Sequence, residues 1–247
     1  HHRHPERFDE QGVPLFMVTC LDWIKEKHAD CEGLFRINGS SSTIKGLIQM
    51  VEHDNLELPE QLDPHAVTGL IKQYLRDLPE PLLGSQMYEA WAELCQLHDA
   101  AQKRALSAYL LAELPSPHQA VLKFLQGRLQ ALAEHAEQTK MDALNIATCI
   151  GPNLLRPPIG NDMNVISVTS TAAQVCLYLL QANQELQVAP IKAIARASFD
   201  YEPVNADELS LQEGQLVFIQ DDGEEWWTGF TVLEQGESKR FPHNYIT

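Results

Sequence analysis

The chain has 247 residues and a net charge of -16 at pH 7, with 44% apolar and 21% charged residues. This composition is typical of globular domains, and the acidic balance argues against a nucleic-acid surface or direct docking on anionic lipid, because both need clustered Lys and Arg. No apolar run reaches the length of a membrane span, and the five cysteines form no CxxC pair, which argues against a disulfide framework.

The first part of the chain is predicted to be helical. Apolar residues recur at intervals of three and four from about residue 14 to 187. Asp63-Pro64 and Ser116-Pro117 each place a capping side chain before a proline that suits a first helical turn. The last long helix is expected to end near Leu186. The pattern predicts an all-α bundle of about eight helices.

The character of the chain changes near Ile191, where short apolar runs alternate with acidic and glycine-bearing turns. This pattern indicates a small all-β domain. We therefore expect a flexible N-terminal extension over 1–11, a helical domain over 12–187, a short linker at 188–190 and the β-domain over 191–247. Since the chain starts with His1, we also expect it to be part of a longer protein.

Arg36 lies in a short loop between two helical segments. A guanidinium is planar and permanently charged, and it can bond two phosphate oxygens at once. An arginine supplied in trans can accelerate GTP hydrolysis by roughly 10³ to 10⁵-fold. A loop arginine taken alone, however, is usually a solvated surface residue.

Other polar residues accompany this arginine. Lys72 and Arg76 are four residues apart on a predicted helix and share one face, although the spacing alone favours a solvated basic stripe. Pro79 ends that helix. Asn153 follows Gly151-Pro152, which is expected to form a turn at the end of another helix.

Together these residues resemble the Rho-family GTPase-activating (RhoGAP) domain over about residues 12 to 187. Four motifs carry the resemblance: Gly12-Val13-Pro14-Leu15, Gly33-Leu34-Phe35-Arg36-x-x-Gly39, Lys72-x-x-x-Arg76-x-Leu78-Pro79-x-Pro81-Leu82 and Gly151-Pro152-Asn153-Leu154-Leu155. The resemblance implies that Arg36 is the arginine finger on a finger loop (residues 33–39), that Arg76 braces this loop, and that Lys72 and Asn153 contact the GTPase. It implies no cofactor of the chain's own, since GTP and Mg²⁺ belong to the partner GTPase.

The β-domain resembles an SH3 domain. The motifs are Ala197-Ser198-Phe199-Asp200-Tyr201, Asp207-Glu208-Leu209-Ser210-Leu211, Trp226-Trp227 and Phe241-Pro242-x-Asn244-Tyr245. The resemblance implies an apolar shelf for a polyproline II ligand, here called the aromatic shelf, made of Phe199, Tyr201, Trp226, Pro242 and Tyr245, with Asn244 beside it. Asp207, Glu208 and Glu225 are expected to border the shelf and attract a Lys or Arg that flanks a PxxP core. Two departures are Phe199 in place of a usual tyrosine and Lys239-Arg240 where glycine is common.

The resemblance implies a multi-domain cytoplasmic regulator that switches off a Rho-family small GTPase of the Rho, Rac or Cdc42 type. The chain would act as an activator rather than a self-contained enzyme, and its SH3 domain would bind proline-rich proteins. Two alternatives are a scaffold that grips the GTPase without accelerating hydrolysis, and an SH3 adaptor whose helical bundle is only structural. Neither direct membrane insertion nor a bound metal is expected. The sequence leaves open which GTPase is preferred and whether the SH3 domain restrains the GAP domain.

Overall fold

The computed structural model describes residues 7–160, 164–182 and 189–247. The described residues divide into two compact units, of which the first holds residues up to Tyr88 together with Leu114–Ala182. The second unit holds Glu89–Glu113 and the C-terminal residues from 189 onward. The expected helix end near Leu186 and the first linker residue lie outside the described residues.

Nine α-helices occur in the described part of the chain, and they confirm the predicted all-α class of the first region. They are α1 (Leu15–Lys27), α2 (Ser41–Glu52), α3 (Pro64–Asp77), α4 (Tyr88–Gln96), α5 (Ala100–Glu113), α6 (Ser116–Ala133), α7 (Ala136–Thr139), α8 (Ala143–Leu154) and α9 (Val165–Gln181). Across 7–160, 164–182 and 189–247, no helix combines the length and apolar character needed to cross a bilayer.

The helix boundaries follow local chemistry in most places. Asp63 caps α3 as predicted, because its side chain accepts a hydrogen bond from the His65 amide at 2.9 Å. The cap predicted at Ser116 is wrong, since Pro115 is already the N-cap and its carbonyl accepts from the amides of His118 and Gln119.

The end of α8 also differs from expectation. Gly151-Pro152 does not break the helix, which continues to Leu154. The side-chain amide of Asn153 donates to the carbonyls of Cys149 and Ile150 at 3.1 and 3.2 Å. These bonds supply donors to the last turn, where proline removes one.

Residues 7–11, part of the extension expected to be flexible, hold fixed contacts. Arg7 forms an ion pair with Asp54 at 2.7 Å. Asp9 accepts hydrogen bonds from the amides of Gln11 and Val13 at 2.9 and 2.8 Å. This segment therefore lies against the start of the helical domain.

The C-terminal region is a four-stranded antiparallel sheet in the order β1-β2-β3-β4, as the all-β prediction requires. The strands are β1 (Ala193–Arg196), β2 (Leu216–Asp222), β3 (Trp226–Phe230) and β4 (Lys239–Pro242). The last residue, Thr247, exchanges two backbone hydrogen bonds with Arg196 and so returns the chain to β1. The core between these strands consists of Ala197, Leu209, Leu211, Val217, Ile219 and Phe241, with Trp227 packed against it.

Helix α5 belongs to the same compact unit as this sheet. Gln102 on α5 is buried, and its amide both donates to the Gly236 carbonyl at 2.8 Å and accepts from the Gly236 amide at 3.1 Å. Gln235 accepts from the His98 amide at 2.5 Å and donates to the Gln96 carbonyl at 3.1 Å. The loop between β3 and β4 is therefore joined to the segment between α4 and α5.

Candidate functional site

The finger loop has an ordered backbone. Gly33 adopts φ +74° and Phe35 adopts φ +66°, both in the left-handed region that non-glycine residues seldom occupy. The amides of Arg36 and Ile37 both donate to the Gly33 carbonyl, at 2.9 and 2.8 Å, while the Gly33 amide donates to the Thr139 carbonyl at 2.7 Å. Because the Phe35 side chain is buried, with 1% exposure, the strained conformation is held by packing as well as by hydrogen bonds.

The Arg36 side chain is 42% exposed, and its Nη2 lies near Gly33, 3.5 Å from the position that a Cβ on Gly33 would take. Its nearest acidic partner is Glu32, at 3.8 Å between Nη2 and Oε1. Exposed ion pairs of such length contribute little free energy. The guanidinium can therefore leave Glu32 for an external anion at small cost.

Lys72 on α3 holds the residue that precedes the finger. Its ammonium donates to the Phe35 carbonyl at 2.7 Å. Burial lowers the pKa of Lys72, with a smaller contribution of the same sign from Arg76, while Cys149 opposes them. A lysine that is half-buried at the base of the loop thus fixes its backbone directly.

Arg76, one turn further along α3, is exposed. In residues 7–160, 164–182 and 189–247 the structure shows no hydrogen bond or ion pair between its guanidinium and the finger loop; Lys72 makes the contact that was assigned to Arg76. Bracing of the loop by Arg76 therefore stays a prediction for the complex with a partner.

Arg156 was missed in the sequence. Its guanidinium donates to the carbonyls of Arg76 and Leu78 at 2.8 and 2.9 Å, which satisfies free acceptors at the end of α3. The signal that could have found it is a cation close to the Gly151-Pro152-Asn153 motif, but its partners are 80 and 78 residues away. Arg156 ties the C-terminal end of α3 to the segment after α8.

Asn153 and Cys149 lie on the last turns of α8. Asn153 is 7% exposed, so most of its side chain is turned into the helix end rather than projected into solvent. Burial raises the pKa of the Cys149 thiol, and the nearby cations Lys72 and Arg36 oppose that rise. Because both cations act on the Cys149 thiol, α8, α3 and the finger loop lie near one another at this point.

The aromatic shelf forms on the C-terminal sheet. Tyr245 lies between Phe199 and Tyr201, with ring-centre distances of 6.2 and 5.2 Å and edge-to-face geometry. Trp226 on β3 pairs with Pro242 on β4. Phe199 and Trp226 are 62% and 37% exposed, and the Arg240 guanidinium lies over the Trp226 ring, so Phe199 offers the larger open apolar surface.

The acidic border of the shelf differs from the expectation. Glu208 is 2% exposed and forms hydrogen bonds within its own loop, so it cannot offer a free carboxylate to a ligand. Asp207 is exposed but pairs with Arg240, at 2.9 Å between Oδ2 and Nε. Glu225 and Asn244 are exposed and adjoin Trp226 and Tyr245 in the sequence, and their contact with a ligand stays a prediction.

Two domain families match the chain. The RhoGAP domain matches residues 14–159, and a variant SH3 domain matches residues 197–247. The chain belongs to the RhoGAP family and carries an SH3 domain at its C-terminal side. The predicted order of the two domains is confirmed.

Relatives and solved structures agree with this assignment. The chain is 28% identical to Rho GTPase-activating protein gacJJ of Dictyostelium discoideum over 95% of this chain and 29% of that protein. It is 36% identical to Rho GTPase-activating protein 27 of Mus musculus over 60% of this chain and 18% of that protein. The crystal structure of human Rho GTPase activating protein 15 superposes with a TM-score of 0.62 and 27% identity, covering 68% of this chain and 81% of that one. The chain thus spans less than a third of the length of these two curated relatives.

Proposed function

We propose that this chain accelerates GTP hydrolysis by a Rho-family GTPase of the Rho, Rac or Cdc42 type and thereby ends its signalling. The observation that carries the proposal is the finger loop, in which a partly exposed Arg36 side chain follows a backbone that Phe35 and Lys72 hold in place. A loop that is ordered before binding loses little conformational entropy when it enters a partner.

Arg36 is the catalytic residue in this proposal. Its guanidinium enters the GTPase active site, neutralises charge that develops between the β- and γ-phosphates, and helps hold the GTPase's own water-positioning glutamine. GTP and Mg²⁺ are bound by the GTPase, so the chain contributes no cofactor. Activation of this kind lowers the barrier by about 4 to 7 kcal/mol.

The surrounding residues grip the GTPase. Lys72 and Arg76 lie on α3 and Asn153 lies on α8, and of these three residues Arg76 alone is exposed in the free chain. The chain as a whole has a net charge of -16. The positive charges of Arg36 and Arg76 contrast with this acidic balance and suit an anionic partner.

The SH3 domain adds a second binding function. We propose that Phe199, Tyr201, Trp226, Pro242 and Tyr245 receive a polyproline II segment, with Asn244 as a polar contact at the shelf. The exposure of Phe199 and Trp226 supports this role, because large aromatic side chains in a small domain are otherwise buried.

The test is single-turnover GTP hydrolysis by Rho, Rac and Cdc42 with the wild-type chain and with Arg36→Ala. We expect the substitution to remove roughly 10³-fold or more of the acceleration, while the affinity for the GTPase changes by less than about tenfold. Arg7→Ala is a matched control, because the Arg7 side chain is 43% exposed and forms a surface ion pair. It should retain full activity.

The same experiment separates the alternatives. Binding of a GTPase by the wild-type chain without acceleration would establish a scaffold and overturn the catalytic proposal. If the chain neither binds nor accelerates any of the three GTPases, the SH3 adaptor is the remaining hypothesis.

A further inference from the structure

Arg240 sits at a fixed position between the sheet and the acidic loop (residues 201–211). It pairs with Thr228 on β3. On its other side its amide donates to the Asp207 carbonyl at 3.0 Å, and its carbonyl accepts from the Leu209 amide at 2.8 Å. The backbone of Arg240 is therefore held from both edges, and its side chain is directed across the surface between them.

The side chain lies on Trp226. The guanidinium carbon is 4.8 Å from the centre of the Trp226 ring, a distance at which a cation is attracted to the aromatic face. Trp226 and Arg240 are diagonal neighbours across the β3-β4 ladder, because Trp226 pairs with Pro242 and Thr228 with Arg240. The contact is thus built into the strand register.

The same guanidinium reaches both carboxylates of the acidic loop. Its Nε lies 2.9 Å from Asp207 Oδ2, and its Nη2 donates to Glu208 Oε1 at 3.3 Å. Arg240 therefore contacts the face of an aromatic ring and two carboxylates at the same time. These are the groups that a flanking arginine of a proline-rich ligand would use on this surface.

Glu208 has no spare capacity for a second cation. Its Oε2 accepts from the Tyr201 hydroxyl at 2.8 Å and from the Val204 backbone amide at 2.7 Å, and its Oε1 accepts from the Asn205 side-chain amide at 2.6 Å. These hydrogen bonds lower the pKa of Glu208 to about 2, so the carboxylate stays ionised and committed to its own loop.

We propose that Arg240, a residue of the SH3 domain itself, occupies the position on Trp226 that a basic residue of a ligand would otherwise take. The domain then gains no affinity from an arginine beside the proline core, and it accepts proline-rich segments that lack one. This inference rests on the proposed peptide binding and deepens it by naming the ligand class. Arg240 acts as a specificity-determining residue, since a ligand arginine must displace it or bind without its partners.

The test uses the full chain and two synthetic peptides that share one PxxP core. One peptide has arginine at both flanks of the core, and the other has alanine at the same positions. Dissociation constants are measured by calorimetry for the wild type, Arg240→Gln and Lys239→Gln. Lys239→Gln is the matched control, because this substitution removes the same charge at the neighbouring position. The Lys239 side chain pairs with Glu234 at 2.6 Å.

We expect the wild type and Lys239→Gln to bind both peptides within about twofold of each other. Arg240→Gln should bind the arginine peptide about five to ten times more tightly than the wild type does, because Trp226 and Asp207 become available, and should bind the alanine peptide unchanged. Thermal unfolding of each variant checks that the domain is folded. If Arg240→Gln does not fold, the affinities of the wild type for the two peptides decide the inference on their own.

A wild type that prefers the arginine peptide about tenfold would overturn the inference while leaving peptide binding intact. Equal binding of both peptides by a folded Arg240→Gln would also overturn it, because Arg240 would then not set the preference. If no protein binds either peptide, the proposed peptide binding itself fails, and the inference fails with it.

Discussion

The ammonium of Lys72 lies 2.7 Å from the carbonyl oxygen of Phe35, and this hydrogen bond joins α3 to the residue just before Arg36. The bond spans 37 positions in the chain, so it cannot form until the helix and the loop have packed together. It restricts the backbone of the loop that presents the proposed finger. We therefore treat Lys72 as a positioning residue as well as a GTPase contact.

The first prediction concerns that hydrogen bond. Lys72→Met keeps most of the aliphatic stem but leaves the Phe35 carbonyl without its donor, so we expect single-turnover hydrolysis to slow by roughly 10- to 100-fold. In the free protein, the amides of Arg36 and Ile37 should also exchange hydrogen faster. This second readout separates loop positioning from contact with the GTPase. Lys123→Met, on an exposed lysine of α6, is the control, and unchanged exchange in Lys72→Met would contradict the positioning role.

The second prediction concerns the close approach of the finger loop to α3. A Cβ added at Gly39 would lie 2.3 Å from the Ala66 backbone nitrogen, which cannot yield as a side chain could. Gly39→Ala should therefore lower the free energy of unfolding by about 1 to 3 kcal/mol. Gly46→Ala is the control: it lies within α2 with open space around its Cβ and should raise stability by about 0.5 to 1 kcal/mol. Urea unfolding measures both, and a neutral Gly39→Ala would disprove the steric argument.

The third prediction concerns Glu93, whose pKa burial raises to about 7, with Arg196 opposing and Glu89 adding to the rise. The carboxyl is ionised above pH 4.5 in the unfolded chain but stays protonated to about pH 7 in the folded one, so stability falls as the pH rises from 4.5 to 7. Glu93→Gln should remove that penalty. We expect about 1 to 2 kcal/mol of stabilisation at pH 8, reduced by solvent screening, and little change at pH 4. An equal effect at both pH values would show that ionisation is not the cause.

The fourth prediction concerns the link between α5 and the SH3 domain. Gln235→Ala removes the acceptor for the His98 amide and the donor to the Gln96 carbonyl, which should cost about 1 kcal/mol. We expect hydrogen exchange at the start of α5 to rise together with exchange in the SH3 sheet. Glu237→Ala, an exposed residue of the same loop, should leave both unchanged. A rise confined to the SH3 sheet would mean that α5 unfolds separately.

Local patterns predicted the elements more successfully than their ends. Asp63 before Pro64 marked the start of α3 correctly, because a cap depends on neighbouring residues only. Ser116 before Pro117 did not, since Pro115 accepted the first amides one residue earlier. Gly151-Pro152 did not end α8, which continues to Leu154, and the side chain of Asn153 bonds two carbonyls of that last part of the helix.

In the candidate site, too, short sequence motifs predicted the local features but not the contacts between distant residues. The motif around Arg36 predicted a loop there, and residues 33–39 do lie between α1 and α2, while the roles of Arg36 and of the aromatic shelf stay predictions. The donor to Phe35, the Arg156 contacts at the end of α3, and the internal pairing of Glu208 with Arg240 were not predicted. Each of these joins side chains to groups that lie on different elements.

The sequence by itself determined the order of the two domains and the presence of an arginine in the finger loop, because these follow from residue identity and short spacing. Only the tertiary structure decided that Lys72 holds that loop and that Arg240 covers Trp226. The physical reason is reach: a hydrogen bond or a cation on an aromatic ring needs contact within a few ångströms, and the packing of distant elements creates that contact.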